Sequence, residues 1–186
     1  MTSRLNRLAV AFVATALATL GVTVANPSPA SAAMTICYNT SQAGIYAGTA
    51  NQAASIWNNA TSNLTLTANC GSNLRIYQIT GGGSYAVRTS LGNGRVYIDT
   101  QQAQQYSPLR IMTHEIGHIL GLPDNYNGNC ALLMSGGSAG TSCTNPYPST
   151  TEANRVTNLF AGTRSTERAG SEIFRDSWPA ALTTVG

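Results

Sequence analysis

Lysine is absent from this 186-residue chain, so all ten basic side chains are arginines. Charged residues make up only 9% of it, which excludes a chain kept unfolded by its own charge. A formal net charge of +3 also excludes a polybasic nucleic-acid binder. No acidic residue precedes Asp99, and there are just two histidines. Long apolar runs are missing too, apart from one near the N-terminus, so nothing after it is long enough to span a bilayer. What is present is 42% hydrophobic residues, enough for one core, and 18 glycines among many Ser, Thr and Asn. That mixture describes one loop-rich domain with a polar, largely uncharged surface.

Arg4 and Arg7 precede the apolar run from Leu8 to about Ala25, and Ala30-Ser31-Ala32 supplies small residues at cleavage spacing. Residues 1–32 therefore read as a secretory signal peptide, cut after Ala32. A membrane anchor is the competing reading. The weak hydropathy of an Ala- and Thr-rich run, followed by the small-residue site, favours the leader. The mature protein is then extracellular and off the membrane, where thiols oxidise. Cys37, Cys70, Cys130 and Cys143 allow three disulfide connectivities. Cys130 and Cys143 are close and bracket a Gly-Ser loop, so they are paired, and Cys37–Cys70 follows. A structural zinc on four thiolates lacks the needed Cys-x-x-Cys pair.

Periodicity predicts a strand over 34–38, a helix over about 42–60 and strands over 64–67, 74–79, 85–88 and 95–99. Gly81-Gly82-Gly83 and Gly92-Asn93-Gly94 are turns. Pro108 opens a helix carrying Leu109, Met112, Ile116, Ile119 and Leu120 at helical spacing up to Gly121. Residues 122–149 show little periodicity and are long for a loop, which favours a functional one. Thr150 or Thr151 caps a last helix that ends at Gly162. The predicted order is an α+β fold, a twisted sheet with helices packed on it. Charges then concentrate in Arg164, Glu167, Arg168, Glu172, Arg175 and Asp176. This places a boundary near Gly162, with a domain over 33–162 and an extension over 163–186, disordered or a surface helix.

The two histidines, His114 and His118, are four apart with Glu115 following the first. On a helix, i and i+4 stand on one face, so both imidazoles can reach one zinc ion at about 2.0–2.1 Å. Glu115 is turned about 100° away, beside the metal but not aligned to bind it. An ordinary amphipathic helix with two surface histidines explains neither the spacing nor the glutamate. A catalytic zinc needs a third protein ligand and an open position. Gly121 can end the helix and turn the chain, and Asp124 follows three residues later. Glu152, on the later helix, is the rival ligand. Asp124 is favoured, because the rival scheme gives the Gly121 bend no purpose and Glu152 suits the first turn of its own helix.

The run His114-Glu115-Ile116-Gly117-His118-Ile119-Leu120-Gly121-Leu122-Pro123-Asp124 resembles the extended zinc motif of the metzincins, in the variant with Asp in the third position. That variant is similar to the snapalysin family of small neutral metalloproteases secreted by streptomycetes. Leu133-Met134-Ser135 resembles the metzincin Met-turn. Cys143 to Pro148, Gly92 to Asp99 and the Gln-rich stretch before the helix extend the likeness over about Thr35 to Gly162. The resemblance implies a twisted mixed sheet of about five strands, helices above it, an active-site helix, and an irregular C-terminal part with Met134 beneath the zinc. It also implies an endopeptidase that prefers Tyr or Phe just after the cut bond. Ser107-Pro108-Leu109 puts no carboxylate before the active-site helix, which argues against the calcium site of some members. Cys37 and Cys70 are extra to the family pattern, the extension runs past its usual end, and no long propeptide separates leader from first strand.

The reading that follows is a secreted, monomeric zinc endopeptidase acting on proteins or peptides. His114, His118 and Asp124 are the metal ligands, Glu115 is the general base, and Met134 is an apolar floor. Tyr126 is a candidate donor to the oxyanion or simply a loop tyrosine. The edge strand Ser84–Arg88 is a candidate site for substrate addition. A zinc amidase of cell-wall peptides and an inactive zinc-binding module are the alternatives.

Overall fold

The computed structural model describes residues 33–161 and 171–175. The proposed leader 1–32 and most of the extension lie outside these residues.

Alternation of apolar and polar residues builds a sheet with one buried face. Its first five strands are β1 (Met34–Gln42), β2 (Leu64–Ala68), β3 (Leu74–Ile79), β4 (Tyr85–Ser90) and β5 (Asn93–Asp99). Ile36, Tyr38, Leu64, Leu66, Leu74, Ile76, Ala86, Val96 and Ile98 are all buried. Residues between them, such as Thr65 and Arg95, are exposed, as a period of two requires. β1 pairs in parallel with β2 and β3, β3 with β5 in parallel, and β4 with β5 antiparallel. On the face away from the helices, Tyr77, Tyr97 and Tyr85 stack across three strands, with ring centroids 5.0 and 4.4 Å apart.

Among the described residues four α-helices accompany the sheet: α1 (Ala47–Ala60), α2 (Thr100–Ala103), α3 (Pro108–Ile119) and α4 (Thr150–Ala161). Helix α1 begins later than its periodicity suggests, because Gln42 closes β1 and Gly44–Tyr46 forms a 3-10 turn first. Helix α3 packs on α1, β4 and β5. Trp57 of α1 is fully buried and donates its indole N–H to the Thr113 carbonyl of α3 at 2.9 Å. Truncating a side chain so placed costs about 3–5 kcal/mol. Helix α4 is capped by Ser149 rather than Thr150 or Thr151. Its hydroxyl accepts from Glu152 N while the Glu152 carboxylate accepts from Ser149 N, a reciprocal capping box.

The start of β4 is fixed by Asp99, whose two carboxylate oxygens accept from Gly81 N at 2.7 Å and Gly83 N at 2.9 Å. Both expected disulfides form, with Cα–Cα distances of 5.1 Å for Cys37–Cys70 and 5.6 Å for Cys130–Cys143.

The sheet has a sixth strand, which the sequence reading does not contain. β6 (Glu172–Arg175) lies antiparallel to β4 and gives the order β2-β1-β3-β5-β4-β6. These four residues of the extension are thus neither helix nor disordered, and β4 is not a free edge. Four residues, two apolar between two charged, are too short a pattern to read as a strand without the partner that orders them. Among the described residues no helix is long and apolar enough to cross a membrane.

Candidate metal centre

Helix α3 opens with Ser107 as its cap and Pro108 in its first turn. Its middle is buried on every side. His114, Glu115 and His118 are each 0% exposed. Gly117 permits this depth, because a Cβ there would stand 2.9 Å from Met134 Sδ and 3.2 Å from the Trp57 ring. The helix ends at Gly121, whose φ of +97° is the left-handed conformation of a Schellman stop. Its signature bonds run from Gly121 N to the His118 carbonyl and from Leu122 N to the Gly117 carbonyl, both 3.0 Å.

That stop reverses the chain beneath the histidines. The Leu122 carbonyl lies 2.8 Å from His118 Nδ1, and the Leu133 carbonyl 3.0 Å from His114 Nδ1. A carbonyl only accepts, so each Nδ1 carries the proton and each Nε2 presents a lone pair. The two Nε2 atoms are 3.1 Å apart, and Asp124 Oδ1 is 3.3 Å from both. Three acceptors converging on one point repel each other unless a cation stands among them, so the donor set fits a metal ion. His114, His118 and Asp124 form such a group of ligand atoms within 4.8 Å of one another. Asp124, with its side chain 23% exposed, is the more accessible member.

A turn at Leu133–Ala139 closes the floor. Met134 O accepts from Asn125 N at 2.8 Å, tying the turn to the residue after Asp124. Two side chains clamp this turn, one through its N–H groups and one through its carbonyls. Glu152 accepts from Leu133 N at 3.1 Å and Met134 N at 2.8 Å. Arg110, 1% exposed, donates to the carbonyls of Leu132, Leu133, Gly136 and Asn145 and to Ser135 Oγ. Burial pushes the Arg110 guanidinium below its usual range, and the charge of Glu152 opposes that shift. Glu152, the rival ligand, is therefore engaged with backbone N–H groups. Sequence reasoning missed Arg110. Its only signal was a guanidinium between the apolar residues Leu109 and Ile111 of a buried helix. Tyr126, 43% exposed, lies against Gly136, as does the His114 ring.

His118 has one more neighbour. The Phe174 ring of β6 stacks on its imidazole, with centroids 4.4 Å apart and planes 11° from parallel.

The α+β fold and this donor set are together those of a metzincin-like metallopeptidase. The chain belongs to the Streptomyces extracellular neutral proteinase (M7) family, whose profile matches residues 33–163. It is 45% identical over 139 residues to the extracellular small neutral protease of Streptomyces lividans, covering 74% of this chain and 61% of that protein. It is 43% identical over 129 residues to the protein of that name from Streptomyces caespitosus, covering 69% of this chain and 98% of that one. A Streptomyces coelicolor protein of the same name is 43% identical over 137 residues, with 72% and 63% covered. The chain thus spans about three fifths of two of these relatives and nearly all of the third.

Proposed function

We propose that the chain is a secreted zinc endopeptidase, exported by residues 1–32 and cutting proteins or peptides outside the cell. The carrying observation is the convergence of His114 Nε2, His118 Nε2 and Asp124 Oδ1 beside buried Glu115. These three residues would hold the ion, which when bound acidifies a water and polarises the scissile carbonyl. Glu115 accepts the water's proton and delivers it to the leaving amine. Met134 is the apolar floor of a Met-turn, and Arg110 with Glu152 keeps that turn, and through Leu133 the His114 ring, in place. Tyr126 reaches the oxyanion as a hydrogen-bond donor. Substrate adds as a strand along β4, and Tyr or Phe just after the cut bond, the preference that the family resemblance implies, gives the fastest cleavage.

The test is metal analysis of the purified protein, with casein hydrolysis followed before chelation, after it, and after zinc is restored. Activity that falls with the metal and returns with zinc supports the reading. A folded, metal-free protein that still digests casein overturns it.

A further inference from the structure

The edge at which substrate would add is occupied by the chain itself. β6 aligns antiparallel with β4, placing Arg175 opposite Tyr85, Phe174 opposite Ala86, Ile173 opposite Val87 and Glu172 opposite Arg88. Both faces of this short strand are engaged. On the helix side Phe174 stacks on His118, and Arg88 lies 5.3 Å over the Phe174 ring while pairing with Glu172. On the other side the Arg175 guanidinium lies 4.8 Å over Tyr85, at the end of the tyrosine row. An extended peptide laid against β4 would need this same backbone edge, and one of its side chains would need the place of Phe174 on the metal-facing imidazole.

The strand is also lightly held. Ile173 is 57% exposed, Glu172 and Arg175 are exposed, and β4 is the sole strand partner of β6 among the described residues. Exposed edge segments with little buried area open at the low end of the local stability scale. A tethered strand meets its edge at an effective concentration in the millimolar range, enough to compete with dilute substrate without abolishing access. Residues 172–175 also lie beyond the segment that the family profile matches, which stops at 163.

We propose that Glu172–Arg175 is a built-in pseudosubstrate strand, which holds β4 and covers His118 until a peptide displaces it or the extension is cut away. This rests on the reading that peptides bind along β4. An occupant of this kind raises the apparent KM and leaves kcat alone, because the chemistry begins only after displacement.

The test uses the full zinc-loaded chain and three variants: Phe174→Ala, Glu172→Arg and the double change. The first removes the ring from His118, and the second sets two guanidinium groups against each other at Arg88. With a quenched fluorescent peptide, KM should fall about threefold in each single variant and about tenfold in the double, with kcat within twofold. A second readout needs no turnover. In a Glu115→Gln background, a labelled peptide of sequence Ser171–Asp176 should bind the double variant at least fivefold more tightly than its parent, by fluorescence anisotropy. Unchanged KM and unchanged peptide affinity in folded variants, with a lower melting temperature alone, would make β6 a structural edge guard and overturn the proposal. The single variants, at exposed or half-buried positions, decide it should the double variant fail to fold. A parent and variants that all bind zinc but cleave nothing would sink the peptidase reading instead, while the anisotropy still reports on the strand.

Discussion

His118 is touched from two directions by two very different pieces of chain. The Leu122 carbonyl, four residues on, holds Nδ1 at 2.8 Å from a buried return loop. Phe174, far along the chain, covers the ring face from a strand whose preceding residue, Ile173, is 57% exposed. The first contact is set by a helix stop and cannot relax without undoing α3. The second is held by one neighbouring strand and a few surface contacts. Orientation of the His118 ring is thus a local, rigid property, whereas the cover on its face is a long-range and lightly held one.

That contrast breaks first at Glu115. Glu115→Gln should lower peptide hydrolysis by roughly 10²–10⁴-fold, the usual contribution of a positioned general base. Metal content and melting temperature should stay near the parent's, since neither the donors nor β6 is touched. Wild-type rates in that variant would move the proton-transfer role to another group. Arg110→Met attacks the rigid side. It strips the buried carbonyls around Leu133 of their donor and leaves Glu152 without its countercharge, so a loss of about 3–5 kcal/mol is expected in denaturant titration. Peptide affinity at β4 should hardly change, and a variant as stable as the parent would show the clamp to be dispensable.

Gly117→Val sharpens the comparison with a smaller effect. The new side chain meets Met134 and Trp57, and overpacking of this sort costs about 1–3 kcal/mol. Zinc affinity should drop with it, because the turn under His114 must shift. Affinity unchanged beside lowered stability would uncouple floor from ligands. The smallest effect is on alkaline stability. Burial raises the phenols of Tyr38, Tyr46, Tyr97 and Tyr106 above the usual tyrosine range. The folded state therefore keeps these protons to higher pH than the unfolded chain does. Their contribution is complete below about pH 10 and is lost as pH rises through the folded values. Melting temperature should decline above that pH, and less steeply in Tyr38→Phe.

Much of the site was legible because its spacing is local. The His114–Glu115–His118 run, the Gly121 stop and Asp124 lie within eleven residues, and a helix followed by a Schellman turn converts that spacing directly into geometry. The strands expected over 64–67, 74–79, 85–88 and 95–99 were legible for the same reason, since alternation is a nearest-neighbour property, and three of them extend by one or two residues in the fold. The clamp was not. Arg110 and Glu152 meet the Leu133–Met134 turn through tertiary contacts, and neither has a motif announcing that role, although Ser149-x-x-Glu152 does spell its own helix cap. β6 was hidden for a further reason, because its pattern acquires meaning only beside β4.

The sequence by itself determined the two imidazoles on one helix face, the order of the residues around them and the turn that returns Asp124 towards the histidines, since each follows from steric and hydrogen-bonding rules acting over a few residues. Tertiary structure alone decided that Arg110 and Glu152 grip the floor and that Glu172–Arg175 lies along β4 with Phe174 on His118. Those contacts join residues tens of positions apart, and only the folded sheet and its buried helix bring them within reach.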